Sequence, residues 1–208
     1  MSEVKSETLK AIQDAGLAEF LAKGFQKASL RSIAKNAGVT TGAFYGYYPS
    51  KEALFDDIVG PHAVMLMEMY DKAALKFRYM DDQAQDEAVG DIGNECMKEM
   101  ITYCYDHLPG CKLLFTGAQG TKFENFIHDL VEKEIKETRA FEEALTGRGY
   151  EITPMSERFE HIITSGMFAA MVEPVIHEIP FEEAMEDVMM IHEFYTAGWK
   201  HITGFGRR

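Results

Sequence analysis

The sequence predicts an all-α protein in which an N-terminal three-helix helix-turn-helix domain precedes a larger helical bundle. Apolar residues recur at the spacing of a helix face through almost every segment of the 208-residue chain. Gly and Pro fall between these segments, and no convincing strand pattern interrupts them. We therefore expect about nine helices, with a first domain over residues 1–59 and a second over residues 60–208.

Cap and turn residues locate the helices of the first domain. The first helix is expected to end near Gly24. Ser29, Thr40 and Ser50 can each accept a hydrogen bond from a backbone N–H at the start of the next three helices. Gly38 lies where a tight turn between two short helices requires a positive φ angle. These signals together predict a helix-turn-helix.

The second domain is predicted to contain longer helices. The expected elements, in chain order, are a helix that resumes or bends after Gly60-Pro61, a polar loop at 79–86, a helix over 89–103 ended by Pro109-Gly110, a long helix from 123 to Gly147, and two last helices at about 156–176 and 181–202.

Residues 29–48 match a helix-turn-helix in spacing as well as composition. Phe44 lies six residues after Gly38 and is expected to face Ile33, while the small Ala34 allows close helix approach. Tyr48 is expected to point inward with Phe44. The residues expected to face outward are Thr40, Thr41, Gly42, Ala43, Tyr45 and Tyr47. A plain αα-corner has similar spacing, so a structural role stays open at this point.

The charge distribution favours a surface for nucleic acid over a plain corner. The formal net charge is -13, yet acids and bases balance in residues 1–60, so the excess negative charge lies after them. From Phe20 to Lys51 there is no acid, and the bases of this window are Lys23, Lys27, Arg31, Lys35 and Lys51. A basic window in an acidic protein indicates a local site for a polyanion.

The stretch from about Thr8 to Val59 resembles the DNA-binding domain of the tetracycline-repressor (TetR-like) family of bacterial regulators. The resemblance rests on FLAKGF at 20–25, SLRSIA at 29–34 and AGVTTGAFYGYYPSKE at 37–52. It covers about a quarter of the chain. It implies a cytoplasmic, ligand-responsive repressor that binds a palindromic double-stranded DNA operator as a homodimer and is released by a small, largely apolar effector.

The resemblance also implies which residues contact DNA. They are Ser29, Arg31, Thr40, Thr41, Gly42, Ala43, Tyr45, Tyr47 and Lys51. The two adjacent threonines would open the recognition helix, while the tyrosines and the lysine would contact phosphates or sugars. Ala43 and Gly46 occupy positions where family members often carry longer side chains. We therefore expect few hydrogen bonds to bases and more dependence on DNA shape.

Methionine is frequent after residue 60 and adapts to varied apolar shapes. Any single Met can serve an ordinary core, but in a TetR-like regulator the pattern favours an effector pocket. The candidate lining residues are Met69, Met100, Tyr103, Phe123, Phe126, Met167 and Met171.

The last two helices carry wide apolar faces that predict a homodimer interface, although both faces could also be core within one protomer. Small residues at the end of the first face would allow close approach. The candidate interface residues are Phe159, Ile163, Gly166, Ala170, Met185, Val188, Tyr195 and Trp199.

No catalytic, cofactor or metal site is expected. The chain lacks G-x-S-x-G, G-x-x-x-x-G-K-[ST] and H-E-x-x-H. Weak metal candidates are Cys104, His107 and Cys111, and the acids Glu68, Glu95 and Glu99 near His62. The second hypothesis is a helical small-molecule-binding or interaction module without DNA binding, which would lack the steep salt dependence of a DNA binder.

The chain is also predicted to have no membrane partner. It has three cysteines, its N-terminus MSEVKSETLK has no apolar leader, and no apolar run reaches the ~20 residues that span a bilayer. An odd, small number of cysteines is typical of a reducing compartment.

Overall fold

The computed structural model describes residues 3–205, and every regular element in this range is an α-helix. The helices are α1 Glu3–Lys27, α2 Leu30–Asn36, α3 Thr41–Phe44, α4 Lys51–Arg78, α5 Asp82–Ala88, α6 Asp91–Asp106, α7 Leu108–Thr116, α8 Phe126–Gly147, α9 Glu157–Ile176 and α10 Phe181–Thr203. The predicted all-α fold class is confirmed. The last two helices lie within one residue of their predicted bounds.

The described residues form ten helices rather than the predicted nine or so, because three segments fold differently from the prediction. Pro61 lies inside a continuous α4, so it does not divide the chain into two helices there. The predicted polar loop at 79–86 is wrong from Asp82 onward: the Asp81 carboxylate accepts from Ala84 N at 3.0 Å and caps α5. Pro109 does not end a helix but lies in the first turn of α7, where its missing N–H has no cost.

The first compact unit contains the described residues up to Met65 together with His107–Phe126. Three aromatic rings lie at its centre, with the centroid of Phe55 at 5.1 Å from Phe20 and 5.2 Å from Phe25. Phe25 N also donates to Gly117 O at 2.9 Å, which ties the end of α1 to the end of α7. This compact unit therefore includes residues beyond the predicted first domain, 1–59. The division into a DNA-binding part and an effector-binding part after residue 59 stays a prediction.

The second unit contains Leu66–Asp106 and the described residues from Ile127 onward. The second half of α4 belongs to it, together with α5, α6, α8, α9 and α10. Buried residues such as Leu130, Phe168 and Val188 form its core. Helices α9 and α10 approach closely at Gly166, where an added Cβ would lie 3.0 Å from the Tyr195 hydroxyl.

Candidate functional site

The two short helices begin and turn at the residues that the sequence indicated. Ser29 Oγ accepts from Ser32 N at 3.4 Å and Thr40 Oγ1 accepts from Ala43 N at 3.1 Å, so both act as N-caps. Gly38 has a φ of 71°, which other residues adopt only with strain. Val39 N then donates to Ala34 O at 3.0 Å and closes the turn. The predicted helix-turn-helix geometry is confirmed.

Phe44, Tyr45 and Tyr48 lie on the predicted sides of α3, whereas Tyr47 is less exposed than predicted. Phe44 is fully buried, and Tyr48 is buried with its hydroxyl donating to Asp57 Oδ2 at 2.5 Å. Burial and this hydrogen bond raise the pKa of Tyr48 well above its usual range. Tyr45 points the other way, with 55% of its surface exposed. Tyr47 is half-buried. Phe44 thus fixes α3 to the core and leaves its other side to the solvent.

The predicted DNA-contacting residues all lie in the first unit, near α2 and α3. The exposed ones are Arg31, Thr40, Thr41, Gly42, Ala43 and Tyr45, and the half-buried ones are Ser29, Tyr47 and Lys51. Contacts from these residues to DNA stay predictions. Ser29 and Thr40 already use their hydroxyl oxygens as helix caps, so their first role is to shape the surface.

Lys51 has a structural role that the sequence did not reveal. Its ammonium donates to Phe25 O at 2.7 Å, to Ala28 O at 3.1 Å and to Gln26 O at 3.4 Å. It also lies 4.4 Å from the centroid of the Phe25 ring. An ammonium has three donors, and all three point to carbonyl oxygens at the end of α1. The predicted phosphate contact would therefore compete with these carbonyls.

A buried acid, Glu19, fixes the start of α2. Its Oε1 accepts from Ser29 N at 3.0 Å and from Lys23 Nζ at 2.8 Å. The hydrogen bond from Lys23, followed by that from Ser29, holds the pKa of Glu19 below its usual range. Sequence analysis missed this residue, since an acid on α1 ten residues before Ser29 gives no local signal.

The second unit contains a cavity of about 400 Å³. Most of its wall is apolar or aromatic and comes from α4, α6, α8, α9 and α10. Met167 and Met171 line it, as the sequence predicted for an effector pocket. Cavities of this size and character are typical of small-molecule sites.

The other predicted effector residues do not line this cavity. Met69 and Met100 instead lie behind its wall, where Cys96 Sγ is 3.8 Å from Met69 O and 3.7 Å from Met100 Sδ. Phe123 and Phe126 belong to the first unit, and Tyr103 is not part of the wall either. Apolar character marked these residues for burial, but tertiary packing decides which buried residues meet a cavity.

Four polar side chains of the wall, from Tyr70, Glu134, Glu160 and His192, were not predicted. The Tyr70 hydroxyl donates to Glu134 Oε2 at 2.8 Å, and burial raises the pKa of both groups. Glu160 lies opposite Arg139, whose Nη2 is 2.6 Å from Glu160 Oε2. Burial lowers the pKa of His192. The only sequence signal was that acids at 134 and 160 interrupt apolar helix stripes.

A model of the N-terminal domain of the tetR family of bacterial regulatory proteins matches residues 12–58. This segment of the chain is therefore similar to the DNA-binding domain of tetR-family regulators. The match covers α2, α3 and the parts of α1 and α4 that pack on them. Members of this family are transcriptional regulators rather than enzymes.

The curated relatives of this chain are named as helix-turn-helix transcriptional regulators. It is 30% identical to the regulator YuxN of Bacillus subtilis over 102 residues, which are 49% of this chain and 31% of YuxN. It is 35% identical to the repressor KstR of Mycolicibacterium smegmatis over 74 residues, 36% of each chain. The matched segment thus spans about a third of the length of these relatives.

Solved structures confirm the fold over nearly the whole chain. PfmR of Thermus thermophilus has a TM-score of 0.57 at 16% identity, covering 89% of this chain and 97% of PfmR. FadR of Bacillus halodurans, a fatty acid degradation regulator, has a TM-score of 0.53 at 17% identity, covering 91% of this chain and 98% of FadR. At such identities the likeness shows the fold alone.

The predicted interface residues of this chain differ in their exposure and contacts. Phe159 and Ile163 are exposed on α9. Val188 is only 2% exposed, because it packs inside the protomer, and its prediction as an interface residue is wrong. Trp199 lines the cavity and donates to Glu142 Oε1 at 3.0 Å. Tyr195 lines the cavity as well.

The remaining predicted interface residues are partly buried by packing within one protomer. Gly166 allows α9 to approach Tyr195 of α10 within the same chain, while Ala170 and Met185 are half-buried. Larger exposed apolar side chains were not among the interface predictions: Ile162, Met190 and Phe194.

The described residues bring three potential metal ligands together at one place, formed by His128 and Glu132 on α8 and His161 on α9. Their ligand atoms lie within 4.8 Å of one another, and all three side chains are largely exposed. The weak metal candidates from the sequence form no such group within residues 3–205. In the same range, no helix is long and apolar enough to cross a bilayer.

Proposed function

We propose that this protein is a ligand-responsive repressor of the tetR family. It binds a near-palindromic operator as a homodimer and leaves the DNA when a small, largely apolar effector occupies the cavity of the second unit. The observation that carries the proposal is the two-sided packing of α3. Phe44 is buried while Thr41, Ala43 and Tyr45 are exposed. A helix held in this way can enter a major groove.

The chemistry of the exposed face supports positioning on the DNA backbone more than base reading. Gly42 and Ala43 have no side chain or only a methyl group, so the protein backbone can come close to the DNA. The Tyr45 hydroxyl can donate to a phosphate oxygen, and the exposed Arg31 adds charge at α2. Specificity is then expected to depend on DNA shape and on contacts with thymine methyl groups.

Dimerisation is supported by exposed apolar side chains on the last two helices. Ile162 on α9 and Met190 on α10 are both more than half exposed. A symmetric contact between two copies would cover such residues and would place two recognition helices about one turn of DNA apart, or a multiple of it.

Release by an effector is supported by the apolar cavity. A ligand shifts the equilibrium only if it binds one conformation better than the other. The effector must therefore favour a state with lower affinity for DNA. The name of the relative KstR, a transcriptional repressor, agrees with repression.

DNA binding can be tested on fragments from upstream of the protein's own gene and its neighbours. We expect protection of a palindrome, with affinity that falls steeply as salt rises because phosphate contacts release counterions. Replacing Arg31 by Ala should reduce the salt slope by about 0.9 for each phosphate that is no longer neutralised. Lys98, an exposed base of the second unit, supplies the matched control Lys98→Ala. Undetectable binding at low salt would favour the interaction module without DNA binding.

A further inference from the structure

The charged side chains that line the cavity are all acids. They are Glu134, Glu137 and Glu160, and no Lys or Arg is part of the wall that the structure describes. Glu137 forms an ion pair with Arg78, and Glu160 forms one with Arg139. The charge available to a ligand is therefore negative or neutral.

One oxygen of Glu160 is a buried acceptor without a donor. Glu160 is 5% exposed. Its Oε2 accepts from Arg139 Nε at 2.8 Å and is 2.6 Å from Arg139 Nη2. Its Oε1 is buried and has no hydrogen-bond partner among the described residues. Buried polar groups are nearly always paired, so this oxygen indicates a site for an N–H or O–H donor of a ligand.

His192 supplies a second unpaired polar atom on the same wall. Its Nδ1 is buried and likewise lacks a partner within residues 3–205. Its Nε2 lies against Gly93, where an added Cβ would be only 2.4 Å away. Burial lowers the pKa of His192, so the ring is neutral at pH 7 and offers one acceptor nitrogen.

Glu134 can adapt its charge to the ligand. It is half-buried, accepts from the Tyr70 hydroxyl at 2.8 Å, and has a pKa raised by desolvation. A cation placed beside it would stabilise its ionised form, and the carboxyl proton would leave to solvent. An anion placed there would meet no counter-charge and would disfavour ionisation further.

We propose that the effector is an amine: an apolar body that carries a cationic, hydrogen-bond-donating nitrogen, held by Glu134 and by Glu160 Oε1. A free carboxylate, such as a fatty acid, is disfavoured in this cavity. This inference rests on the proposed function, in which the same cavity is the effector site.

Three probes with the same ten-carbon chain test the head group: decylamine, 1-decanol and decanoate, each used below its micelle concentration. The chain has one tryptophan, Trp199, and it lines the cavity, so its fluorescence reports occupancy. We expect decylamine to bind at least about tenfold more tightly than decanoate, as a charge-assisted hydrogen bond would give, with decanol between them. Release of operator DNA is measured in parallel by fluorescence anisotropy.

Single substitutions in the cavity wall test which residues cause the preference for decylamine over decanoate. Glu134→Gln keeps the shape and the acceptor for Tyr70 but removes the charge, so it should reduce the amine-to-decanoate ratio severalfold and leave decanol binding unchanged. Glu160→Gln provides a second, independent loss of charge. Met167→Leu changes only the apolar wall and should keep the ratio. An unchanged ratio in both glutamine variants would overturn the assignment.

The outcomes separate this inference from the proposed function. If decanoate binds as tightly as decylamine and releases DNA, the amine inference is overturned while the effector cavity stands. If decylamine binds with the expected preference but DNA stays bound, the inference stands and the proposed ligand response fails. If none of the three probes changes the Trp199 fluorescence, both are overturned.

Discussion

Lys51 connects the start of α4 to the end of α1, and its replacement by Met tests how the first unit is held together. Met keeps an apolar stem of similar length and removes the ammonium. The carbonyls of Phe25, Gln26 and Ala28 then lose their donor. We expect the variant to be folded but clearly less stable.

The magnitude follows from the contacts. Hydrogen bonds from a charged donor contribute about 1.5–3 kcal/mol each, and here two are short while the third, at 3.4 Å, is weak. Partial hydration of the freed carbonyls offsets some of this loss. The cation lying over Phe25 adds about 0.5–1 kcal/mol. A net loss of about 3 kcal/mol is expected, which lowers the melting temperature by roughly 6–12 °C in a chain of this size.

Thermal unfolding followed by circular dichroism measures the effect. Lys35→Met is the matched control, because it removes a base of the same window from an exposed position of α2 and should change stability by less than about 0.5 kcal/mol. Equal melting temperatures for the two variants would refute the capping role of Lys51. If Lys51 also holds a phosphate, the salt slope of DNA binding by Lys51→Met, measured well below its melting temperature, should fall by about 0.9.

Three further predictions concern other parts of the chain. Phe44→Ala should cost about 3–5 kcal/mol of unfolding free energy. Tyr45→Phe should leave the melting temperature unchanged and weaken operator binding roughly three- to tenfold, so similar melting of the two would contradict the division of the rings. Burial raises the pKa of Glu134 in the folded protein above its ordinary 4.5. The contribution of Glu134 to the free energy of unfolding is therefore full below pH 4.5 and is lost as the pH rises through the folded pKa. The stability of Glu134→Gln relative to wild type, measured by urea unfolding, should therefore increase from pH 5 to pH 8, and a flat difference would count against a raised pKa of Glu134. Ile162→Ser combined with Met190→Ser should shift a dimer toward monomer in analytical ultracentrifugation without lowering the helix content.

The helix-turn-helix was predictable because its signals are local. The caps at Ser29 and Thr40 act on backbone groups three residues away, and the positive φ of Gly38 is a property of one residue. Phe44 follows from the same spacing. Glu19 and Lys51 escaped prediction because their partners are 10 and 23–26 residues away in the sequence.

The cavity was predictable only in part, since its wall combines residues of six helices from distant parts of the chain. Met167 and Phe126 are equally apolar in the sequence, but only the first faces the cavity. Val188 and Met190 lie on the same helix, and packing buries one while leaving 60% of the other exposed. Helical periodicity identifies a face as apolar. It does not decide whether that face meets the core, a ligand or another chain.

Some residues that line the cavity also belong to the exposed apolar surface. Ile163 on α9 and Phe194 on α10 line the cavity, and both are exposed, Phe194 by 73%. A ligand that displaces these side chains changes the surface proposed for dimerisation. By linkage, dimer formation must then change ligand affinity by the same factor. Decylamine should therefore bind the wild-type dimer and the Ile162→Ser, Met190→Ser variant with different affinities, although neither substituted residue lines the cavity. Equal affinities would show that effector binding and dimer geometry are independent in this protein.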